Sequence, residues 1–126
     1  MIKLEATDNQ NFPWTGYSIL RDSTKVGQCA FKAAPKSGQV EMAYYIFKQF
    51  ENQGIATEVC RQLIELSINA DPNIQITART LMEENASTKV LKNNNFFWLG
   101  VVSDPEDGEV WEWIYKDGVD KRNAKG

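Results

Sequence analysis

The chain has 126 residues, 42% of them hydrophobic, which suits one domain with its own core and leaves little room for a second. Its net charge of −3 argues against nucleic acid as the main partner, because domains that bind a phosphate backbone are usually basic. The chain has no histidine, which excludes Ser-His and Cys-His nucleophile systems, and we expect no metal site.

The sequence also predicts where the protein is found. No apolar run approaches the roughly 20 residues that span a bilayer, and the amino terminus, MIKLEATDNQ, has no signal-peptide core. Cys29 and Cys60 show no CxxC spacing, so we interpret them as reduced core thiols. We therefore expect a cytoplasmic protein without a membrane partner.

Four strands are predicted in the first part of the chain, from alternating apolar residues and the turn residues between them. Only a short loop with Asn and Pro, Asp8 to Tyr17, separates the first two strands, and no helix of normal length fits there. The predicted strands are Ile2 to Thr7, Tyr17 to Leu20, Val26 to Ala33 and Val40 to Phe47.

Two helices and three strands are predicted in the rest of the chain. The apolar spacing predicts a helix over Ile55 to Asn69, which ends at Asp71-Pro72. Asn85 or Ser87 can cap a second helix that runs to about Asn94. The remaining strands are Ile74 to Thr80, Phe96 to Val102 and Val110 to Tyr115.

The order of elements is therefore β-β-β-β-α-β-α-β-β, in the α/β (α+β) class. A strand-helix-strand unit implies one parallel pair inside a mainly antiparallel sheet. Where that pair diverges beside a helix start it leaves a cleft, and ligands favour such crevices. We expect a single domain over residues 1–116 and a flexible basic tail over residues 117–126.

The turn before the first predicted helix has the features of an anion site. Gly54-Ile55-Ala56 follows the fourth strand, and small residues there let the backbone approach a ligand closely. The first turn of a helix also presents unpaired N–H groups and a partial positive charge. Phosphate is the most natural ligand, and the alternative is that Gly54 only starts the helix.

Four segments in the right order resemble the GNAT superfamily of acyl-CoA N-acyltransferases, and its Rim-type branch in particular. They resemble the branch's EIGYWL fourth strand, its GKGYATE pyrophosphate loop, its N-x-A-S…VLEK helix and the Asn-Gly-Phe entry to its sixth strand. The resemblance spans about Gly16 to Tyr115. The matching segments are Glu41 to Ile46, Gln53 to Glu58, Asn85-Ala86-Ser87 with Val90-Leu91-Lys92, and Asn94-Asn95-Phe96.

The resemblance implies acetyl-CoA as the acyl donor, with its pyrophosphate on loop backbone and its pantetheine arm on the fourth strand. It implies direct attack by the amine, with a strand N–H polarising the thioester carbonyl. The implied coenzyme A contacts are Tyr45, Ile46, Phe47, Asn52, Gln53, Gly54, Ile55, Ala56, Thr57, Asn85 and Ser87.

Three side chains are candidates for proton transfer within that resemblance. Glu41 is the candidate base, directly or through water, and the alternative is an ordinary exposed strand carboxylate. Ser87 matches a Rim-branch serine that can sit near the thiol, and helix capping is its alternative role. Tyr45 is an alternative acid or a packing aromatic. Cys60 is expected to pack in the core and not to carry an acyl group.

The sequence departs from this branch at two places. Glu51 stands where the loop usually has Arg or Gln, and a carboxylate near pyrophosphate is repulsive unless it points to solvent. Backbone N–H groups must then carry the binding, with Lys48 as the nearest compensating charge. The two helices that the family places after its first strand have no counterpart, so the acceptor side should be open or completed by another chain.

These features predict an acetyl-CoA-dependent N-acetyltransferase acting on a small-molecule or peptide primary amine, with a homodimer as one arrangement. Two alternatives stay open. A non-catalytic acyl-CoA-binding or regulatory module is favoured by Glu51 and the missing helices. A structural assembly domain would use exposed aromatic residues such as Trp14 and Trp113.

Overall fold

The computed structural model describes residues 1–116, and the predicted tail over residues 117–126 lies outside the described residues. Within residues 1–116, seven strands form one sheet in the order β1-β2-β3-β4-β5-β7-β6, and the predicted sequence of strands and helices is confirmed. The elements are β1 (Ile2–Ala6), β2 (Gly16–Arg21), β3 (Thr24–Phe31), β4 (Gln39–Ile46), a 3-10 turn (Lys48–Phe50), α1 (Ile55–Ala70), β5 (Gln75–Thr80), α2 (Ala86–Asn93), β6 (Phe96–Asp104) and β7 (Gly108–Tyr115).

The sheet contains one parallel pair, β4 with β5, as the strand-helix-strand unit predicted; its other pairs are antiparallel. The parallel pairing is short and runs from Gln39 opposite Gln75 to Glu41 opposite Thr77. Beyond Glu41, β4 stays paired with β3 up to Ile46. A gap therefore opens between β4 and β5 just where α1 begins.

The core lies between the two helices and one face of the sheet. Val59 and Leu63 of α1, Leu91 of α2, and Met42 of β4 are almost fully buried and belong to one apolar cluster. Trp113 belongs to it as well, at 2% exposure, so the expectation that Trp113 is an exposed aromatic residue is wrong. Its indole N–H donates to the Thr80 hydroxyl at 3.0 Å, which satisfies the polar end of this buried side chain.

The opposite face of the sheet, here called the helix-free face, carries Gln28, Glu41, Ala43 and Tyr45, because side chains alternate along β3 and β4. In the described part of the chain no helix covers it. The link between β1 and β2 consists of turns and bends, as its length predicted. Within residues 1–116, the helix-free face, on which the acceptor is expected, is therefore not covered by a helix.

Local hydrogen bonds account for the helix ends. The Asp71 N–H donates to the Ser67 carbonyl at 2.9 Å, and α1 ends at Ala70 before Pro72. Asn85 caps α2 through a reciprocal pair: its side chain accepts from the Thr88 N–H at 3.1 Å, and the Thr88 hydroxyl accepts from the Asn85 N–H at 2.9 Å. Asn85, not Ser87, is thus the cap. Neither helix in residues 1–116 has the length and apolarity needed to cross a membrane.

Candidate functional site

The gap between β4 and β5 exposes part of the β4 backbone. The Phe47 N–H donates to the Val26 carbonyl of β3 at 2.9 Å. Because backbone groups alternate in direction along a strand, Tyr45 also faces β3, whereas Tyr44 and Ile46 direct their N–H and C=O groups towards the gap. Tyr45 and Phe47 are both implied coenzyme A contacts, but their N–H groups face β3 and are therefore not available to a ligand.

The turn before α1 presents a second set of backbone donors. Gly54 has a φ of 80° and Asn52 a φ of 63°, which turns the chain sharply into the helix. Among the residues that the structure describes, no side chain caps this end of α1. The N–H groups of Ile55, Ala56 and Thr57 lie in the first helical turn, where no intrahelical acceptor exists. They lie at the same end of the gap, and unpaired N–H groups at a helix start can donate hydrogen bonds to an anion.

These two sets of donors border one cleft of about 360 Å³ between β4, α1 and α2. Eight of the predicted coenzyme A contacts line it, and Phe47, Gln53 and Asn85 do not. The eight are Tyr45, Ile46, Asn52, Gly54, Ile55, Ala56, Thr57 and Ser87. The predicted strand edge, loop and second helix therefore meet at a single site.

Gln53 and Asn85 have structural roles instead. The Gln53 side chain accepts a hydrogen bond from the Arg21 guanidinium, which ties the loop to the end of β2. The same guanidinium lies 5.3 Å from the centroid of the Phe50 ring. Asn85 is occupied as the cap of α2. Arg21 thus brings a positive charge to the loop that carries Glu51.

Sequence reasoning missed several residues that line the cleft. From α2 these are Ala86, Lys89, Val90 and Asn93, which share one face of the helix at the spacing i, i+3, i+4 and i+7. This helical spacing is visible in the sequence. It would have predicted these cleft residues if the packing of α2 against α1 had been known. Lys89 matters most, because it adds a positively charged residue to the lining of the cleft that also includes the negatively charged Glu51.

A side-chain clamp joins α1 to α2 at this site. The Asn94 amide donates to the Thr57 carbonyl at 3.3 Å and to the Val90 carbonyl at 3.1 Å. Thr57 lies in the first turn of α1, and Val90 lines the opposite wall of the cleft. Asn94 therefore links the start of α1 to α2 beside the cleft.

The three candidate catalytic side chains do not share one cavity. Ser87 lines the cleft, whereas Glu41 lines a separate hollow of about 380 Å³ on the helix-free face. Tyr45 lines the cleft and also a hollow of about 320 Å³ on the helix-free face. Its side chain is 58% exposed. Tyr45 is thus the candidate that connects the two sides of the gap.

The surroundings of Glu41 tune its acidity. Burial raises the pKa of Glu41; the positive charges of Arg79 and Lys32 oppose this, and the negative charges of Asp104 and Glu112 add to it. The Glu41 side chain remains 22% exposed. A carboxylate with a raised pKa beside the gap is better suited to accept a proton than an ordinary surface glutamate.

The two cysteines are free and buried, as predicted. Burial raises the pKa of both the Cys29 and the Cys60 thiol to about 12. A thiol with such a pKa is not ionised near neutral pH and is a poor nucleophile. Cys60 is accordingly a packing residue of α1. Within residues 1–116, no group of three or more His, Cys, Asp or Glu side chains is arranged to hold a metal ion.

Comparison with known families identifies this architecture. A family model described as an acetyltransferase (GNAT) domain matches residues 2–96. The chain belongs to the GNAT acetyltransferase family. No curated protein sequence matches it.

Solved structures share the GNAT fold of this chain. Aminoglycoside acetyltransferase AAC(6')-Ib in complex with coenzyme A aligns with a TM-score of 0.71 and 17% identity, over 87% of this chain and 70% of that one. The ribosomal-protein alpha-N-acetyltransferase RimL with coenzyme A gives 0.70 and 20%, over 79% and 60%. RimJ of Mycobacterium smegmatis, in complex with CoA-disulfide, gives 0.71 and 19%, over 79% and 51%. The predicted resemblance to Rim-type GNAT proteins is confirmed, and this GNAT chain spans about half to three fifths of the Rim structures.

Proposed function

We propose that this GNAT domain is an acetyl-CoA-dependent N-acetyltransferase that moves the acetyl group to a primary amine by direct attack in a ternary complex. The observation that carries the proposal is the cleft in which the free edge of β4 meets the unpaired N–H groups of α1. Acetyl-CoA has the complementary groups in the complementary order, a pyrophosphate for the helix start and pantetheine amides for the strand edge.

The same arrangement orients the acyl end of the donor. With the pyrophosphate at Gly54 to Thr57, a pantetheine arm on Tyr44 and Ile46 runs back along β4. The thioester then lies where β4 and β5 part, next to Glu41. A β4 N–H that faces the gap can donate to the thioester carbonyl and stabilise the oxyanion that forms on attack.

Proton transfers complete the reaction. Glu41 takes the proton from the incoming ammonium, directly or through a water molecule, so that the neutral amine attacks the thioester carbon. A bond forms between that carbon and the amine nitrogen, which gives a tetrahedral intermediate with a positively charged nitrogen. As the intermediate collapses, the carbon–sulfur bond breaks, the sulfur leaves as the thiolate of coenzyme A, and the nitrogen loses its second proton. Tyr45 or Ser87 donates a proton to the thiolate and regains one from the proton that the nitrogen releases, and Ser87 lies on the side of the gap where the donor binds.

The acceptor is proposed to be a small-molecule or peptide amine that enters from the helix-free face. Glu41 and Tyr45 reach this face, and the described residues place no helix over it. The related AAC(6')-Ib structure contains kanamycin in one complex, and RimL is a ribosomal-protein acetyltransferase, which are amine acceptors of these two kinds. An open face suits the larger acceptor, because a peptide needs more room than a single amino group.

Acetyl transfer can be measured as thiol release, with mass spectrometry of the product, on a panel of amino-terminal peptides, polyamines and aminoglycosides. We expect turnover on at least one amine. We expect Glu41→Gln to lower kcat by roughly 10²- to 10⁴-fold, the usual contribution of a general base. Glu5→Gln is the matched control, an exposed strand carboxylate of β1 on the helix-free face. Coenzyme A binding without thiol release on any amine would contradict the proposal.

One observation favours a second candidate, a non-catalytic acyl-CoA-binding module. Glu41 and Ser87, two of the three candidate catalytic side chains, line separate cavities. A binding module needs only the cleft, and it would bind coenzyme A with normal affinity while releasing no thiol above the uncatalysed rate. The transfer assay therefore separates the two functions.

A further inference from the structure

The Arg79 guanidinium of β5 and three carboxylates from the adjacent strands β4, β7 and β6 meet on the helix-free face. Its Nη1 donates to Asp104 Oδ2 at 3.1 Å, and its Nε donates to Glu112 Oε2 at 3.4 Å. Arg79 Nε lies 3.9 Å from Glu41 Oε1, which is too far for a hydrogen bond. One guanidinium thus faces three carboxylates, and it is hydrogen-bonded to two of them.

The two carboxylates that hold Arg79 are the more buried and the better fixed. The exposed fraction of the side chain is 9% for Asp104 and 12% for Glu112, against 22% for Glu41. Asp104 Oδ1 accepts from the N–H groups of Glu106 and Asp107 at 2.8 and 3.1 Å, so the turn between β6 and β7 fixes this side chain and leaves Oδ2 for Arg79. Glu112 stands directly opposite Arg79 in the sheet.

We propose that Asp104 and Glu112 are positioning residues that hold the Arg79 guanidinium away from Glu41, so that the Glu41 carboxylate stays free to accept a proton from the acceptor amine. The inference rests on the proposed function, in which Glu41 is the base. An arginine that closes onto a carboxylate in a bidentate pair stabilises the ionised form strongly, and such a carboxylate is a weak base. Arg79 would do this to Glu41 if its other two partners did not occupy it.

Lys32, the other positively charged side chain near Glu41 in the described residues, also lies close to a different carboxylate. Within the described residues, the charged groups that face Glu41 are Lys32 just after β3, Arg79 from β5, Asp104 from β6 and Glu112 from β7. Lys32 Nζ lies 4.0 Å from Glu106 Oε1, in the turn between β6 and β7. Neither positive side chain donates a hydrogen bond to Glu41, and the raised pKa of Glu41 agrees with this arrangement.

Asp104→Asn tests the proposal with little risk to the fold. Asparagine keeps the Oδ1 acceptor for the two turn N–H groups and removes the charge that holds Arg79. Asp107→Asn is the matched control, since it makes the same charge change in the same turn without touching Arg79. The pKa of Glu41 is read by NMR titration of its side-chain carboxyl carbon in the protein without acetyl-CoA. This readout does not depend on turnover, so failure of the proposed function is distinguishable from failure of this inference.

We expect Asp104→Asn to lower the pKa of Glu41 well beyond any change in Asp107→Asn, and to reduce kcat/KM at neutral pH on the order of tenfold as the base weakens. In an Arg79→Met background, Asp104→Asn should no longer have this large effect, because there is no guanidinium to release. Equal Glu41 pKa values in Asp104→Asn and Asp107→Asn would overturn the proposal. The proposal would also be overturned if Asp104→Asn lowered the pKa of Glu41 by the same amount in the Arg79→Met background. That result would mean that Asp104 acts on Glu41 by direct charge repulsion and not through Arg79.

Discussion

Replacement of Gly54 by alanine tests whether the left-handed turn before α1 builds the anion site. Gly54 has a φ of 80° and Gly38, in the turn between β3 and β4, a φ of 75°. A Cβ added at either position would meet no heavy atom within 4 Å, so the penalty at both is conformational strain alone. That strain costs roughly 1–2 kcal/mol for a non-glycine residue, which lowers Tm by roughly 4 °C or more in a domain of this size. Gly54→Ala and Gly38→Ala should therefore lose similar stability.

Their affinities for coenzyme A should differ. Relief of strain at residue 54 moves the N–H groups of Ile55 and Ala56 away from the pyrophosphate, and each hydrogen bond to a charged group is worth about 1.5–3 kcal/mol. Loss of one such bond weakens binding roughly 10- to 100-fold. Calorimetric titration with coenzyme A should show this loss for Gly54→Ala and wild-type affinity for Gly38→Ala. Equal affinities for the two variants would refute the reasoning.

Three further variants test the charge on the loop, the helix cap and the buried carboxylate. Glu51→Gln should tighten coenzyme A binding a few-fold at low salt, since one charge about 8 Å from another in water contributes roughly 0.5 kcal/mol, and the gain should shrink as salt screens it. Asn85→Ala should lower the free energy of unfolding by about 1 kcal/mol through loss of the α2 cap, measured by denaturant titration, with Ser87→Ala as the neutral control. Glu41→Gln should raise Tm at pH 7. The pKa of Glu41 is higher in the folded than in the unfolded state, so ionised Glu41 opposes folding above its folded pKa, and the gain should vanish as pH falls through both values.

Each of these results has a clear opposite. Unchanged affinity of Glu51→Gln at low salt would mean that the Glu51 carboxylate points away from the bound pyrophosphate. A stability loss in Ser87→Ala as large as in Asn85→Ala would contradict the assignment of the cap. A lower Tm for Glu41→Gln at pH 7 would show that ionised Glu41 stabilises the fold through Arg79. That result would contradict the raised pKa of Glu41, which requires the ionised form to be destabilising.

The order of elements was predictable because its signals are local. Apolar spacing marked α1, Asp71-Pro72 marked its end, and the short link after β1 ruled out a helix there. The extent of β6 was less predictable, because the strand continues beyond the predicted end at Val102 to Asp104. The Asp104 carboxylate accepts hydrogen bonds from two turn N–H groups, so the turn to β7 is shorter than the sequence suggested. Trp113 was misjudged because its contacts come from other elements: the Thr80 hydroxyl of β5 accepts from its indole N–H, and the Lys92 ammonium of α2 lies 5.9 Å from its ring centroid.

The candidate site was predictable in its backbone and less so in its side chains. The turn at Gly54 follows from glycine and from the strand-to-helix order. The direction of the Phe47 N–H depends on pairing with β3, and the position of Lys89 depends on which face of α2 meets α1. The charged residues around Arg79 lie on strands that are far apart in sequence, so no sequence motif predicts that they meet.

The most direct test of the cleft as the acyl-CoA site is a titration of the ¹⁵N-labelled protein with coenzyme A, followed by amide chemical shifts. The largest changes should fall on Tyr44, Ile46, Ile55, Ala56 and Thr57, whose N–H groups face the gap or begin α1. Saturating coenzyme A should also raise Tm, because a ligand at 100 times its Kd stabilises the native state by about 2.7 kcal/mol. Shifts confined to other surfaces, or no shifts at millimolar coenzyme A, would contradict the assignment of this cleft.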